Sequence, residues 1–242
     1  MNLKDKIAIV TGASRGIGKA IALSLASEGV HLALVARSLE DLNTTALDCR
    51  SKGVNVKVFP FDLTDFEKIP SLLQDIKQSF SKVHILVNDA GKYEDGNPFE
   101  SDLEKWDYAL DLNFRAVYHL TNQALGLLPS DEETGIMNIC SISGLMTSKG
   151  GEIYNSSKHA LKGYAGCLFE SVREKGIKVT NIYPGFVNTG MVSGDKVIPE
   201  KMIQPEDIAS AVVWALQVPA NACPTDITIR PQRSPYRSNA VT

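Results

Sequence analysis

The sequence is poor in the residues that build disulfide frameworks and metal sites. Its four cysteines are widely separated and form no C-x-x-C pair; they are Cys49, Cys140, Cys167 and Cys223. This spacing excludes a short disulfide-rich secreted fold and fits a reduced compartment. The four histidines show no metal-ligand spacing, so we expect no metal site.

Positive charge and long hydrophobic runs are also missing. The formal net charge is −3, which gives no electrostatic reason to expect nucleic acid as a partner. No basic run or basic amphipathic stretch indicates a membrane surface. The first apolar run, IAIV at residues 7–10, is too short for a signal-peptide core or a membrane span. We therefore expect a cytoplasmic protein without nucleic-acid or membrane partners.

What the sequence does contain is an alternation of short apolar runs and longer helical patterns. Strands are predicted at residues 7–11, 31–36, 54–59, 83–88, 136–141, 178–183 and 226–230, and helices at 18–28, 39–52, 65–80, 103–128, 152–175 and 205–217. This alternation predicts parallel strands joined by crossover helices. Because no linker or repeat divides the chain, we expect residues 1–242 to form one domain. Its predicted fold is a three-layer, doubly wound α/β sheet of the Rossmann type.

A glycine-rich segment follows the first predicted strand. Gly12, Gly16 and Gly18 have the spacing G-x-x-x-G-x-G and precede an amphipathic helical pattern. In a doubly wound sheet, such a turn lets backbone N–H groups approach a pyrophosphate, and the helix N-terminus adds a favourable dipole. The alternative is that these glycines only end a strand for conformational reasons. Their position between strand and helix favours a dinucleotide site.

A tyrosine and a lysine, Tyr154 and Lys158, lie four residues apart in a predicted helix and therefore share one face. A neighbouring ammonium favours the ionised form of a phenol, which suits proton transfer near neutral pH. The Y-x-x-x-K pattern alone fits a buried tyrosine beside a solvated lysine better than it fits an active site. Its place thirteen residues after Ser141, at the end of a predicted strand, indicates an active site instead.

These motifs occur in one order with three more: Asn88-Asp89-Ala90-Gly91, Asn113 and Pro184-Gly185. Between about residues 3 and 189, the order and spacing of the set resemble the short-chain dehydrogenase/reductase family. The resemblance is strongest to its 3-oxoacyl-carrier-protein reductase members, with a C-terminus more like that of small 3-hydroxy acid dehydrogenases. It implies an oxidoreductase that uses a nicotinamide cofactor.

The resemblance also implies catalytic roles. Tyr154 is expected to protonate a carbonyl oxygen in reduction or to deprotonate an alcohol in oxidation, with Lys158 supporting it and binding the nicotinamide ribose. Ser141 is expected to hydrogen-bond the substrate oxygen, and Ser143 is its rival for that role. Asn113 is expected to hold a water in a proton relay.

Cofactor contacts are expected from a larger set of positions. They are Gly12, Ser14, Arg15, Gly16, Ile17, Gly18, Arg37, Asp62, Leu63, Asn88, Asp89, Ala90, Gly91, Tyr154, Lys158, Pro184, Gly185, Val187 and Thr189.

The residues after the second predicted strand indicate which nicotinamide cofactor is used. Family members that prefer NAD carry an acidic residue there, whereas this chain has Ala36-Arg37. With no carboxylate to bind the ribose or repel a phosphate, Arg37 can pair with a 2′-phosphate, and Arg15 can converge on it. The alternative is a pair of solvated surface arginines. The sequence predicts NADP(H).

Two departures from the family pattern affect these expectations. The usual Asn-Asn-Ala-Gly is here Asn88-Asp89-Ala90-Gly91. Asp89 is harmless if its backbone meets the cofactor, and it weakens binding if its side chain matters. Residues 231–242 are predicted to form an irregular tail, where many relatives have a strand with a Gly-Gly pair. We still expect a homo-oligomer, either a tetramer or a dimer, with residues 190–204 as the substrate lid.

The leading hypothesis is an NADP(H)-dependent oxidoreductase that interconverts a carbonyl and a secondary alcohol. Its expected substrate is a 3-oxo or 3-hydroxy acyl compound or a small hydroxy acid. The rival is a non-catalytic NADP-binding sensor or scaffold. A sensor needs only the cofactor residues, so the presence of Asn113, Ser141, Tyr154 and Lys158 together favours an enzyme.

Overall fold

The computed structural model describes residues 1–129, 131–191 and 197–236. These residues form one parallel sheet of seven strands in the order β3-β2-β1-β4-β5-β6-β7. The strands are β1 (Ile7–Thr11), β2 (His31–Ala36), β3 (Val56–Pro60), β4 (Ile85–Asn88), β5 (Thr134–Ile139), β6 (Ile177–Pro184) and β7 (Asp226–Ile229). The prediction of a doubly wound parallel sheet is confirmed.

The described residues also form seven α-helices. They are α1 (Gly16–Ser27), α2 (Leu39–Arg50), α3 (Ile69–Phe80), α4 (Leu103–Leu110), α5 (Ala116–Ala124), α6 (Glu152–Val172) and α7 (Pro205–Gln217). None of them combines the length and the apolar character that crossing a bilayer requires.

Side chains alternate between two cores, one on each face of the sheet. In β1, Ala8 and Val10 pack with α1, α2 and α7, whereas Ile7 and Ile9 pack with α3, α5 and α6. Because both faces are covered, β1 is buried along its whole length and is apolar except for its last residue. The chain therefore has three layers: helices, sheet and helices.

The chain order of the strands reverses beside β1. From β1 the chain builds outward through β2 to β3, and it then returns to place β4 on the other side of β1. The carboxyl ends of β1 and β4 thus flank a crevice, where ligands bind in doubly wound sheets. The glycine-rich segment follows β1, and the Asn88–Gly91 motif begins with the last residue of β4.

The prediction of one uninterrupted helix over 103–128 is wrong in its middle. Between α4 and α5, the residues Asp111–Arg115 form a π-helical turn, and a 3₁₀ turn, Leu125–Leu127, follows α5. A π-turn widens the helix by one residue, and such turns often lie at functional sites. Here the turn holds Asn113, which is fully buried.

The strand predicted at 136–141 is also displaced. β5 begins at Thr134 because residues 134 and 135, a threonine and a glycine that do not extend the apolar run, pair with β6. It ends at Ile139, and the 3₁₀ turn Ile142–Gly144 follows, with Ser141 as its N-cap. Ser141 therefore lies in the loop beyond the strand end.

Part of the expected lid, residues 192–196, and part of the expected tail, residues 237–242, lie outside the described residues. The described part of the expected lid forms backbone hydrogen bonds with the described part of the expected tail. Val197 forms an antiparallel bridge with Tyr236, and the Ile198 N–H donates to the Pro235 carbonyl at 2.8 Å. The expected lid and tail thus meet on one surface.

Candidate active site

The glycine-rich segment forms an open helix start. Arg15 is the N-cap of α1, and its own side chain makes no capping hydrogen bond. The first turn of α1 contains no acidic residue, whereas α2 is capped by Ser38 and has two acids in its first turn. The free N–H groups and the positive end of the α1 dipole therefore favour an anion.

The glycines shape this cradle through their lack of side chains. Gly12 and Gly16 have φ of +67° and +58°, in the left-handed region that favours glycine. A Cβ atom at Gly18 would lie 2.4 Å from the Gly12 carbonyl oxygen, closer than van der Waals contact allows. The residues present thus fit a pyrophosphate approached by backbone N–H groups.

The other loop residues predicted to meet a cofactor take different positions. Arg15 is exposed, Ile17 packs against the core beside α1, and the Ser14 carbonyl accepts a hydrogen bond from Thr45. Thr189 reaches the loop from the other side, since its methyl group lies 3.4 Å from the Cβ position of Gly16. The segment after β6 therefore contacts the glycine loop at Gly16.

Thr11, at the end of β1, links the glycine loop to the Asn88–Gly91 motif. Its hydroxyl oxygen accepts the N–H groups of Asp89 at 3.0 Å and Ala90 at 3.2 Å, and its hydrogen is donated to the Val87 carbonyl. Thr11 was missed by the sequence reasoning. A hydroxyl residue at the end of a buried strand was the available signal.

The side chain of Asn88 belongs to a buried row of hydrogen-bonded amide side chains. Its Nδ2 donates to Thr121 Oγ1 at 3.0 Å and to Asn138 Oδ1 at 2.9 Å, and Asn138 in turn donates to Asn181. These bonds join β4, β5 and β6 at one level of the sheet. The side chain of Asn88 thus supports the strand ends, which leaves its backbone for any cofactor contact.

Tyr154 and Lys158 both belong to α6, as predicted, and both are buried. Lys158 Nζ lies 5.8 Å from the centre of the Tyr154 ring and donates to the Ile139 carbonyl at 3.1 Å. That bond fixes the ammonium at the carboxyl end of β5. The side chain of Tyr154 therefore sits beside a positioned cation.

Gly91 allows Lys158 and Asn113 to converge. A Cβ atom at Gly91 would lie 3.1 Å from Asn113 Oδ1 and 3.7 Å from Lys158 Nζ. Asn113 accepts the Lys92 N–H and donates to the Lys92 carbonyl, both at 2.8 Å. The π-turn thus aims Asn113 at the residues that follow β4 and brings it beside Lys158.

Ser157 joins the two helical parts of the site. Its hydroxyl donates to the Tyr154 carbonyl at 2.7 Å and accepts from Asn113 Nδ2 at 3.2 Å. The Y-x-x-x-K pattern drew attention to residues 154 and 158 alone. Ser157 was missed because its contact with Asn113, 44 residues away in the sequence, forms only when the helices pack.

Ser141 lies in the turn that packs on α6. Its Oγ accepts the Ser143 N–H at 3.1 Å, so its own hydrogen remains available to donate. A Cβ atom at Gly144 would lie 2.8 Å from the Lys158 carbonyl oxygen, which places this turn in close contact with the helix that carries Tyr154. Ser143 supplies only its backbone N–H to this arrangement.

Tyr93 is a further neighbour of Tyr154 that the sequence reasoning missed. The two rings meet edge to face, with their centres 5.1 Å apart. Burial and the hydrogen bond to Asp95 raise the pKa of Tyr93 to about 12. Tyr93 therefore stays protonated at neutral pH and supports the Tyr154 ring by packing.

The residues expected at the adenosine end are more scattered. Arg37 donates to the Tyr108 hydroxyl at 2.9 Å and lies 3.9 Å from the Asp62 carboxylate. Asp62 also accepts from the N–H and the hydroxyl of Thr64. Leu63 is buried in the core beneath β2, so its side chain does not face the crevice.

The residues after β6 are held by the neighbouring elements. Pro184 is buried at the end of β6, and the Gly185 N–H donates to the Ile229 carbonyl at 2.8 Å. Val187 is buried and forms a parallel bridge with Ile203. Of this group, Thr189 is the one that contacts the glycine loop.

Comparison with known proteins agrees with this geometry. Residues 6–196 match the short chain dehydrogenase family, and the chain belongs to that family. An uncharacterized oxidoreductase of Staphylococcus aureus (strain USA300) is 34% identical over 229 residues, which cover 95% of this chain and 98% of the relative. The predicted family is therefore confirmed, and the protein is an oxidoreductase of this family.

Solved structures give the same result. An alcohol dehydrogenase from the archaeon Thermococcus sibiricus, complexed with 5-hydroxy-NADP, superimposes with a TM-score of 0.87 at 26% identity and covers 96% of this chain and 100% of its own. A variant of the actinorhodin polyketide ketoreductase with NADPH has a TM-score of 0.86 at 27% identity, covering 94% and 96%. Members of the family use nicotinamide cofactors, and these two structures hold NADP forms.

Proposed function

We propose that this chain is an NADP(H)-dependent oxidoreductase that interconverts a carbonyl and a secondary alcohol. Its proposed substrate is a 3-oxo or 3-hydroxy acyl compound or a small hydroxy acid. The observation that carries the proposal is the convergence of Tyr154, Lys158 and Asn113 at the carboxyl ends of β4 and β5. This cluster lies on the same edge of the sheet as the open N-terminus of α1.

The crevice between β1 and β4 is the proposed dinucleotide site. The loop from Gly12 to Gly18 presents N–H groups to the pyrophosphate, and Thr189 closes the loop from the opposite side. Lys158 is the proposed ligand of the nicotinamide ribose, and the bond of its Nζ to the Ile139 carbonyl at the end of β5 supports this role. When bound, the cofactor supplies or accepts the hydride, which is chemistry that no side chain can perform.

The chain's own residues handle the proton. In reduction, Tyr154 donates its hydroxyl proton to the substrate oxygen, and the Lys158 ammonium stabilises the phenolate that remains. Ser141 donates a second hydrogen bond to the same oxygen, because its Oγ already accepts from Ser143. Asn113 holds the backbone of Lys92 and the hydroxyl of Ser157 in place, and it is proposed to orient a relay water behind Lys158.

The preference for NADP(H) rests on the charge at the adenosine end. Arg37 is two-thirds exposed, and its ion pair with Asp62 is long at 3.9 Å. Exposed pairs of this kind are weak, so Arg37 remains available for a 2′-phosphate. Ala36 supplies no carboxylate that would repel the phosphate. The NADP forms in the two structural relatives support the same choice.

Replacing Arg37 with aspartate should reverse much of this preference. The variant loses a charge-assisted contact of about 1.5–3 kcal/mol, which corresponds to roughly 10- to 100-fold in kcat/KM for NADPH. It also places a second carboxylate beside Asp62, whereas NADH has no 2′-phosphate to be repelled. Arg173→Asp, an exposed charge reversal at the end of α6, is the matched control. Equal kcat/KM for NADPH and NADH in the unmodified protein would contradict the assignment.

A substrate panel tests the proposed reaction. NADPH oxidation is followed optically with 3-oxo esters, diketones and small 3-oxo acids, and NADP⁺ reduction with the matching hydroxy compounds. Turnover on at least one class is expected. A protein that binds NADPH tightly and turns over none of them would support the rival function, a non-catalytic sensor or scaffold.

We further propose that the protein acts in the cytoplasm as a homo-oligomer, a tetramer or a dimer, and that residues 190–204 form the substrate lid. The bridge between Val197 and Tyr236 supports a lid anchored on the tail. Sedimentation velocity with and without NADPH tests the oligomer, and a monomer in both states would contradict it.

A further inference from the structure

Asp89 lies directly against the glycine loop. Its Oδ2 is 2.9 Å from the position of a Cβ atom at Gly12 and 2.7 Å from that of a Cβ atom at Gly18. Its backbone is held there by the Thr11 hydroxyl. The carboxyl group is therefore part of the floor of the cradle that the dinucleotide pyrophosphate is proposed to occupy.

The contacts of this carboxyl place a charge where the cofactor brings more charge of the same sign. The Gly18 N–H donates to it, which occupies one of the N–H groups at the start of α1. In the usual family motif this position is an asparagine, which offers the same acceptor oxygen without a charge. The departure at residue 89 thus changes the electrostatics of the anion site and leaves the hydrogen-bonding pattern intact.

The groups around Asp89 only partly compensate its charge. Within the described ranges, the charged side chain that acts on it is Lys158 from α6. The other elements contribute neutral groups: Thr11 from β1 and the glycines of the loop. Lys92, on the segment after β4, is already paired with Glu94 at 2.6 Å.

Burial dominates this balance. It raises the pKa of the Asp89 carboxyl from its ordinary value of 3.8 to about 7, against the opposing effects of Lys158 and the Gly18 N–H. A pyrophosphate beside the carboxylate would raise that pKa further through like-charge repulsion. The protonated acid keeps an oxygen that accepts the Gly18 N–H, so protonation removes the repulsion and preserves the contact.

We propose that Asp89 is a proton-linked binding residue: a dinucleotide binds with uptake of one proton from solvent by the Asp89 carboxylate. The inference rests on the proposed function, since it needs the dinucleotide phosphates at the glycine loop. Because binding takes up a proton, the affinity for the cofactor falls as pH rises. The asparagine of the usual motif does not confer this property.

The first test compares NADPH dissociation constants from pH 6 to pH 9, measured by the fluorescence of bound NADPH. In the unmodified protein, the dissociation constant should rise toward tenfold for each pH unit above about 7. In Asp89→Asn this component should be absent, with binding tighter than the unmodified protein at pH 9 and similar at pH 6. The 2′-phosphate also titrates, but it is common to both proteins and cancels in the ratio.

Asp75→Asn is the matched control, because it makes the same change of charge on the exposed face of α3. Calorimetry at pH 8 in buffers of different ionisation enthalpy counts the protons directly. The unmodified protein should take up close to one more proton per NADPH than Asp89→Asn.

A measurement without cofactor separates this proposal from a folding defect. A carboxyl whose pKa is raised in the folded state makes the fold less stable as pH rises from about 4 to about 7. The melting temperature of the free protein should therefore fall across this window relative to that of Asp89→Asn. Asp75→Asn should follow the unmodified protein.

The possible outcomes separate a failure of this inference from a failure of the proposed function. If all three proteins bind NADPH with the same pH profile and the same proton uptake, the inference is overturned and the proposed function stands. If none of them binds NADPH or NADH at any pH, the proposed function is wrong, and the inference that rests on it is wrong as well.

Discussion

Replacing Tyr154 with phenylalanine should lower carbonyl reduction by about 100- to 10,000-fold, the range that positioned acid–base catalysis contributes. The change removes one hydroxyl and keeps the ring, which packs against Tyr93. Lys158 keeps its bond to the Ile139 carbonyl, and Ser157 bonds to the backbone of residue 154 and not to its side chain. The fold and the NADPH dissociation constant should therefore change little.

Tyr164→Phe is the matched control on the same helix. Tyr164 lies ten residues after Tyr154, and its hydroxyl donates to Asn122. Burial raises the pKa of Tyr164 to about 12. This variant should lose some stability and keep its turnover within a few-fold of the unmodified protein. The comparison separates the loss of a proton donor from the general loss of a hydrogen-bonded tyrosine hydroxyl.

Tyr93 offers the sharpest challenge to this assignment, since it is the tyrosine in ring contact with Tyr154. If Tyr154→Phe kept near-normal turnover while Tyr93→Phe lost it, the chemistry would belong to Tyr93. The raised pKa of Tyr93 argues against that outcome, because its phenolate is unfavourable near neutral pH. Single-turnover rates for the two variants decide between them.

The parts of this site that the sequence predicts are those with a local signature. Gly12, Gly16 and Gly18 follow a strand and start a helix, and Tyr154 and Lys158 share a helix face through their spacing alone. The sheet follows equally from the alternation of apolar runs and helical patterns. In each case the physical cause acts within a few residues of the motif that reveals it.

What could not be predicted depends on packing between distant segments. The role of Thr11 arises only because β4 lies beside β1, which brings the N–H groups of Asp89 and Ala90 to its hydroxyl. The π-turn around Asn113 interrupts a pattern that is helical on both sides. Within this turn, Asn113 bonds to the backbone of Lys92, which is a contact between separate elements.

The effect of Asp89 could not be predicted from the sequence for the same reason. Whether its side chain or its backbone mattered depended on what lies opposite residue 89. The structure places the carboxyl against Gly12 and Gly18, so the side chain faces the loop. The departure from the family motif therefore falls within the proposed anion site.

Replacing Gly18 with alanine should weaken NADPH binding by more than 100-fold and lower the stability of the protein. The new Cβ atom would lie 2.4 Å from the Gly12 carbonyl oxygen and 2.7 Å from Asp89 Oδ2. Both neighbours are fixed, the first by the backbone and the second by its place beneath the loop. The cradle must therefore open, and the N–H groups at the start of α1 lose the alignment that favours an anion.

The stability cost follows from overpacking, which is typically about 1–3 kcal/mol. For a chain of this size, that lowers the melting temperature by roughly 2–4 °C per kcal/mol. Gly163→Ala is the matched control, because Gly163 lies on the exposed face of α6 and no atom of the described residues is within 4 Å of its Cβ position. Alanine there should raise stability by about 0.5–1 kcal/mol and leave NADPH binding unchanged.

The two glycines therefore give opposite expected results for the same substitution, although both lie within α-helices. A general effect of alanine on helix stability would move the melting temperatures of both variants upward together. The proposed cradle requires that Gly18→Ala alone loses NADPH affinity, measured by fluorescence titration, and that its melting temperature falls. A Gly18→Ala protein with the unmodified dissociation constant would mean that the cofactor phosphates do not rest on this loop.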